Sequence, residues 1–353
     1  MSEFDFIDRY FTQRFSGLNR KNDRVQLGIG DDAAILSWRN SNQLVVSSDL
    51  LSSGKHFFTD ARPYDVGFKS LAVNLSDMAA MGAQPLAFTL SVALSESPCL
   101  SWWDGFSQGL FTIASQFNCP LIGGDTTACE HSVGPIISIT IFGELPNNTS
   151  GLLRSGVKPS DDLWVSGLPG KARLGLLFEA CRRGLLNRFL PVSEHAVFTH
   201  FESILPETLR QECVLALHQP QPHVTLGIEL RALAHSAIDL SDGLSGDLRH
   251  MLQQSQCGAV VEQHLIDALW CNWYFGCVDF LPWLRQIFLV GGDDYTLCFS
   301  ADPKWRESLL ALSSRLTIPL NRIGVAQQSR LFELSDSQRR EPIQLHSFDH
   351  FLS

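Results

Sequence analysis

The sequence has no closely paired cysteines, no basic surplus and no long apolar run, and each absence closes off a class of protein. Its nine cysteines are scattered from Cys99 to Cys298 with no Cys-x-x-Cys among them. A disulfide framework or a zinc knuckle needs tighter, paired spacing, so they read as small buried hydrophobes in a reducing compartment. Lys and Arg number 27 against 37 Asp and Glu, a net charge of -10. That balance argues against a nucleic-acid binder and suits either a protein that holds cations or one that is merely acidic. No uninterrupted apolar stretch reaches the ~20 residues of a membrane span. The opening Met1-Ser2-Glu3-Phe4-Asp5 is acidic and has no apolar core, so no secretory signal is expected and the expected location is cytoplasmic. The sequons at Asn147 and Asn148 would then go unused. A phosphate loop is missing too: Gly170-Lys171 is followed by Ala172 where Ser or Thr is required. Neither a Ser-His-Asp set nor an activated cysteine is evident.

What is there is enough chain for two domains, 353 residues of which 44% are apolar and 18% charged. Phe4, Ile7, Phe11 and Phe15 recur at helical spacing and predict an opening helix with an aromatic face. Leu44–Asp49 reads as a buried strand ending in polar residues. Pro63 begins a long helical pattern that Gly82 ends. Strands are expected over 86–94 and 136–142, a helix over 102–117, and a short apolar run, Leu121-Ile122, enters Gly123-Gly124. Around 146–151 the composition turns to Pro, Asn, Ser and Gly, which predicts a boundary between a domain 1–146 and a domain 151–353. Beyond it, strands are expected over 163–166, 237–240 and 295–299, and helices over 171–183, 224–233 and 305–312. The stretch 185–222 is assigned loosely as helical. Strands and helices intermix in both halves, so the class is α/β or α+β. Leu121–Asp125 and Leu289–Asp293 echo each other as apolar strands entering Gly-Gly-Asp, either a weak duplication or chance.

The chemistry lies in six acidic motifs: Gly28–Asp32, Ser47-Ser48-Asp49, Asn74–Asp77, Gly123–Thr126, Asp239–Gly243 and Gly291–Tyr295. One aspartate at a strand end is ordinarily a turn former or helix cap. Six such motifs point elsewhere. If the carboxylates converge, each close pair repels by roughly 4 kcal/mol at about 4 Å under an effective dielectric of ~20, and cations are the usual remedy. Carboxylate and hydroxyl donors without nearby His or Cys suit Mg²⁺ rather than zinc, and neighbouring glycines let backbone N–H groups approach phosphate. Together they predict a site for nucleotide and metal. Two look-alikes fail. Gly28-x-Gly30-x-x-Ala33 fits a dinucleotide fingerprint, but Asp31 and Asp32 would repel the pyrophosphate. The Asp239–Gly243 stretch hints at a calcium loop, but its glycine comes one place early and His250 stands where a Glu belongs.

In their order, Gly28–Ala34, Ser47–Asp49, Asn74–Gly82, Leu121–Thr127, Leu153–Gly156, Ile238–Leu244 and Gly291–Phe299 resemble the thiamine-monophosphate kinase family, and the resemblance runs to Phe348–Phe351. It implies a two-domain fold of the kind shared with aminoimidazole ribonucleotide synthetase, with an N-terminal sheet that pairs in a homodimer, an α/β C-terminal domain and a site between them. It implies transfer of phosphate from ATP to thiamine monophosphate with several Mg²⁺ ions. By position, it implies metal ligands at Asp32, Ser47, Ser48, Asp49, Asp77, Asp125, Asp239 and Asp242. ATP contacts would fall at Gly124, Asp125, Arg154 and Ser241, and substrate contacts at His56, Asp293 and Phe348. The chain departs from the family where Asp293 replaces a usual Glu, and where Leu345-His346-Ser347 stands in place of a tryptophan. An already ionised acceptor phosphate needs little base catalysis, so direct in-line transfer is expected. Two alternatives stay open: another ATP-dependent enzyme of the same superfamily, or a metal-binding protein that has lost catalysis.

Overall fold

The computed structural model describes residues 8–27, 35–37, 42–94, 100–128, 134–147, 149–336 and 339–343. The chain divides into two compact units, residues 1–78 with 83–150, and residues 79–82 with 151–353. No helix among the described residues is long and apolar enough to cross a membrane.

In the first unit a π-helical turn, Asp8–Thr12, leads into α1 (Gln13–Lys21). Phe11 and Phe15 are buried. Phe15 stands edge-on to Phe88 and Phe111, which is why the aromatic spacing there specifies an inward face. Phe4 and Ile7 lie outside the described residues. A small antiparallel pair, β1 (Val25–Leu27) and β2 (Ile35–Leu36), precedes a four-stranded sheet. That sheet contains β3 (Asn42–Ser52), β4 (Gln84–Leu94), β5 (Leu121–Ala128) and β6 (Ile136–Pro146) in the order β3-β6-β4-β5. Helix α2 (Pro63–Met81) connects β3 to β4, and α3 (Leu100–Gln116) lies between β4 and the parallel β5. Arg24 binds both oxygens of Glu144 at 2.6 and 2.7 Å, and Asn42 adds a third bond at 2.8 Å, fastening the start of β3 to the end of β6.

Strand alternation divides the sheet into two faces. Ile137, Ile139 and Ile141 are fully buried on the face against which α2 lies. The other face is partly open, and there the expectation of a buried strand at Leu44–Asp49 is corrected. The strand is longer, and Leu44, Val46 and Leu50 are 51%, 52% and 59% exposed. An edge strand with helices against one face buries only alternate side chains.

The second unit is built on a seven-stranded sheet ordered β13-β12-β9-β11-β7-β10-β8. Its strands are β7 (Asp162–Ser166), β8 (Ala234–Asp239), β9 (Gly258–Glu262), β10 (Leu297–Ala301), β11 (Leu320–Gln327), β12 (Phe332–Ser335) and β13 (Arg340–Pro342). Among the described residues of this unit only β9 and β12 pair in parallel, so it is α+β. The helices are α4 (Lys171–Arg182), α5 (Leu186–Phe189), α6 (His195–Ile204), α7 (Glu207–His218), α8 (Val224–Leu230), α9 (Leu244–Ser255), α10 (Gln263–Trp273), α11 (Leu281–Val290) and α12 (Arg306–Leu316). Three of these, α5, α6 and α7, lie within 185–222, in keeping with its loose helical reading. Their apolar faces and the sheet enclose one core containing Leu174, Phe198, Phe201, Met251, Trp270 and Phe288. On the sheet, the buried Asp162 carboxylate accepts from Arg306 at 2.6 and 2.7 Å and from Arg322 at 2.9 Å. These guanidiniums outweigh the effect of burial and hold its pKa below the usual carboxylate range.

The echo between Leu121–Asp125 and Leu289–Asp293 is not structural. The first is strand β5, whereas Leu289-Val290 closes helix α11 and the residues after it form a loop. A short apolar run carries no period, and only its packing partners decide its form.

Candidate active site

Within the first unit the acidic motifs fall on both faces of the sheet. Ser47 pairs with Ile141 and Asp49 with Ile139, so both look toward α2. Ser47 Oγ donates to the Asp77 carboxylate on that helix. This works because Pro63–Met81 is helical and Asp77 lies one turn before its end, on the side that meets β3. Ser48 falls on the other face, where its hydroxyl donates to the Ile139 carbonyl and lies 3.1 Å from Thr140 Oγ1. Asp125 shares that face: it pairs with Ser91, which pairs with Ser138, which pairs with Leu50. Asp49 and Asp125 therefore stand on opposite edge strands and opposite faces, three strand spacings or about 14 Å apart in the sheet. The Asp125 side chain accepts from the Thr126 N–H at 2.9 Å.

Gly124 is a glycine for a packing reason, since a Cβ there would lie 1.8 Å from the Leu90 carbonyl oxygen. Gly123 beside it meets nothing within 4 Å, so it is the position where the backbone is open. His56 lies in the turn after β3 and accepts the Ser52 N–H through Nδ1 at 2.9 Å, while its carbonyl accepts from Lys69 Nζ at 3.3 Å. Asp32 lies outside the described residues, as does Phe348.

The second unit brings its acidic motifs together. Strand β8 ends at Asp239, opposite Leu297 of β10, and the antiparallel pairing runs on into the two motif loops. Leu240 N–H donates to Thr296 O, Tyr295 N–H to Leu240 O, and Asp293 N–H to Ser241 O, each at 2.8 Å. Asp239–Gly243 and Gly291–Tyr295 thus lie side by side because they continue neighbouring strands. The fit is close: a Cβ on Gly292 would sit 2.5 Å from Ser241 O, and one on Gly243 would sit 2.8 Å from Gly291 O. Gly243 also adopts φ 99°, a backbone state that side chains resist. Asp293 takes the left-handed φ of 69° without that freedom, a strained conformation of the kind that clusters at functional sites.

Three charged residues near these loops had no role assigned by sequence reasoning. Asp247, in the first turn of α9, accepts the Asp242 N–H at 3.1 Å. Burial first, and then the charges of Asp239 and Asp242, push its pKa up to about 8. The fully desolvated Asp294 carboxyl accepts the N–H groups of Gly170 at 2.7 Å and Ala172 at 3.1 Å, capping α4 from outside that helix. Burial raises it to about 7 against the opposing effect of those bonds. Arg173, in the same first turn, donates through Nη2 to the Phe189 carbonyl. Burial lowers its pKa, while Asp293 and then Glu194 act the other way. An acid one turn into a helix is a faint signal, and the helix 244–255 that would give it meaning was not predicted.

Arg154 is exposed, on a turn pinned by its own carbonyl, which accepts from Ser236 and Ser255 hydroxyls at 3.0 Å each. Gly156 in that turn lies so close to β8 that a Cβ would be 1.8 Å from His235 O. Among the described residues no three His, Cys, Asp or Glu side chains are placed to hold a metal ion. The donor set still fits Mg²⁺, which takes hard oxygen ligands, needs one or two carboxylates, and is completed by water and substrate phosphates.

This combination of an N-terminal four-stranded sheet, a C-terminal α+β unit and acidic motifs in each defines a class. Residues 30–145 match the family described as AIR synthase related protein, N-terminal domain. Over longer stretches the similarity is narrower. The chain is 37% identical to the thiamine-monophosphate kinase of Escherichia coli K12, over 99% of this chain and 98% of that one. It is 33% identical to the thiamine-monophosphate kinase of Buchnera aphidicola from Acyrthosiphon pisum, over 99% of both. The crystal structure of the Stenotrophomonas maltophilia K279a enzyme of that name superposes with a TM-score of 0.76 at 38% identity, covering 95% of this chain and 97% of that one. The chain belongs to the thiamine-monophosphate kinase family.

Proposed function

We propose that this protein transfers the γ-phosphoryl group of ATP to thiamine monophosphate, giving thiamine diphosphate and ADP. The observation that carries the reading is full-length kinship with kinases of that name, at 37% identity over 99% of the chain. The site residues assigned here are Asp32, Ser47, Ser48, Asp49, Asp77, Asp125, Asp239 and Asp242 toward Mg²⁺, and Gly124, Asp125, Arg154 and Ser241 toward ATP. His56, Asp293 and Phe348 are assigned to thiamine monophosphate. Bound Mg²⁺ would supply neutralisation of phosphate charge, the main obstacle when two polyanions meet.

The chain's own residues do the positioning. Arg154, on its pinned turn, offers a planar guanidinium to phosphate oxygens. The open backbone at Gly123 leaves room for a phosphate beside Gly124 and Asp125. Transfer goes directly to the acceptor phosphate. Burial raises the thiols of Cys119, Cys213, Cys277 and Cys298, Cys277 to about 12, so none of these is an activated nucleophile. The active form is a homodimer joined through the first unit's sheet: β3 is an edge strand that exposes Leu44, Val46 and Leu50, the kind of edge that proteins pair or cover. A cytoplasmic location fits a substrate chemistry that draws on ATP.

The test is incubation of the purified protein with ATP, Mg²⁺ and thiamine monophosphate, followed by chromatography. Thiamine diphosphate and ADP should appear in equal amounts, and free thiamine should be a poor acceptor. ATP consumption with another acceptor, and no thiamine diphosphate, overturns the assignment.

A further inference from the structure

The turn that carries Arg154 is braced by side chains from two other elements. The groups that close a tight turn are the carbonyl of its first residue and the N–H of its fourth. Ser255 Oγ meets both of them here: it accepts the Val157 N–H at 3.1 Å and donates to the Arg154 carbonyl at 3.0 Å. The second lone pair of that carbonyl is left for the Ser236 hydroxyl, also at 3.0 Å. Ser236 is fully buried on β8 and Ser255 is the last residue of α9, so both donors sit on regular elements. Val157 belongs to the core, and its carbonyl accepts from Cys257 Sγ at 3.5 Å. On the other flank the Ala237 N–H donates to the Leu153 carbonyl at 3.3 Å. Leu153, Arg154 and Ser155 are nevertheless exposed. An exposed arginine thus springs from a backbone that is held on both sides.

We propose that Ser255, with Ser236, is a positioning residue for Arg154: the two hydroxyls fix the peptide that bears this side chain, and with it the direction in which the guanidinium meets phosphate. The inference rests on the reading of Arg154 as an ATP contact. A long exposed side chain loses rotamer freedom when it binds, and a backbone free to swing would add to that cost. Holding the backbone beforehand removes the added part, and the fixed fork of a guanidinium makes direction matter as much as charge. Ser255 is the more informative of the two, because its single oxygen joins both ends of the turn. Both serines act through Arg154 and do not themselves touch the nucleotide.

The experiment is a double-mutant cycle on the full-length protein, using Ser255→Ala, Ser236→Ala, Arg154→Met and the Ser255→Ala/Arg154→Met pair. KM for ATP, KM for thiamine monophosphate, kcat and melting temperature are measured for each. For wild type and the single serine variants, the rate at which trypsin cuts after Arg154 is followed by mass spectrometry. Ser255→Ala should raise KM for ATP about fivefold, the scale of one lost hydrogen bond, with KM for thiamine monophosphate unchanged. Trypsin should cut after Arg154 faster, because the loosened turn opens more often. Ser236→Ala should move both readouts in the same direction, and it carries the test alone if Ser255→Ala does not fold. In the Arg154→Met background, Ser255→Ala should change KM for ATP by less than about twofold, because the group it acts through is gone. A wild-type KM for ATP in both serine variants overturns the proposal. So does an equal effect of Ser255→Ala in both backgrounds, or a loss that strikes both substrates alike. A wild-type KM for ATP in Arg154→Met instead overturns the placement of Arg154, and this inference with it.

Discussion

Asp294→Asn separates a hydrogen-bonding role from an electrostatic one. In the folded protein the Asp294 carboxyl titrates near 7, against 3.8 as its ordinary value, chiefly because burial disfavours its charge. A folded pKa above the unfolded one means that the group's stabilisation is fully present below pH 3.8 and is lost as pH rises through 7. Three pKa units correspond to about 4 kcal/mol, an upper figure for that loss. Asparagine resembles the protonated acid: its carbonyl can accept one N–H from Gly170 or Ala172, and it never ionises. The variant should therefore match wild type only at or below about pH 4, pull ahead progressively above it, and exceed it by up to about 4 kcal/mol at pH 8. Asp294→Ala removes both acceptors and leaves two buried N–H groups, at about 1–3 kcal/mol each, so it should be less stable than Asp294→Asn at every pH. Urea unfolding of the three proteins in steps from pH 4 to 8 measures this directly, since other titrating groups cancel in the difference. A difference between Asp294→Asn and wild type that stays flat across that range refutes the reasoning, because the carboxyl would then ionise freely where it sits.

Three further outcomes are expected. Asp77→Asn should cut kinase activity at least a hundredfold while melting within about 1 kcal/mol of wild type, since the amide oxygen can still accept from Ser47; a destabilised but active variant would assign Asp77 to the fold alone. Val46→Lys places a charge on the exposed face of β3 and should shift sedimentation toward a monomer, whereas an unchanged dimer would move the interface elsewhere. His223, hydrogen-bonded to Ser166 at 2.7 Å and lowered by burial to about 4, should cost stability as pH falls from 6.5 toward 4. Below pH 6.5 the unfolded chain takes up the proton first, by up to about 3 kcal/mol, so the slope of stability against pH in that window should flatten in His223→Gln.

The acidic motifs, the long helix from Pro63 and the change of composition around 146–151 are all readable from local residues, because glycine, proline and capping chemistry act within a few positions. The chain divides at 150/151, apart from 79–82. Which motifs meet is a different matter. Ser47 and Ser48 are neighbours in sequence, yet one reaches Asp77 and the other lies with Asp125 on the opposite face, an outcome set by which side of β3 the helix covers. Likewise Asp239–Gly243 and Gly291–Tyr295 are some fifty residues apart and touch only because β8 and β10 pair. Arg173 lies in no motif and Asp294 lies in one that gives it no partner; only the docking of α4 sets the Asp294 carboxyl against the Gly170 and Ala172 N–H groups. Local chemistry chose the residue types; non-local strand pairing decided which of them share a face, because a strand's alternation by itself leaves open which side becomes the core.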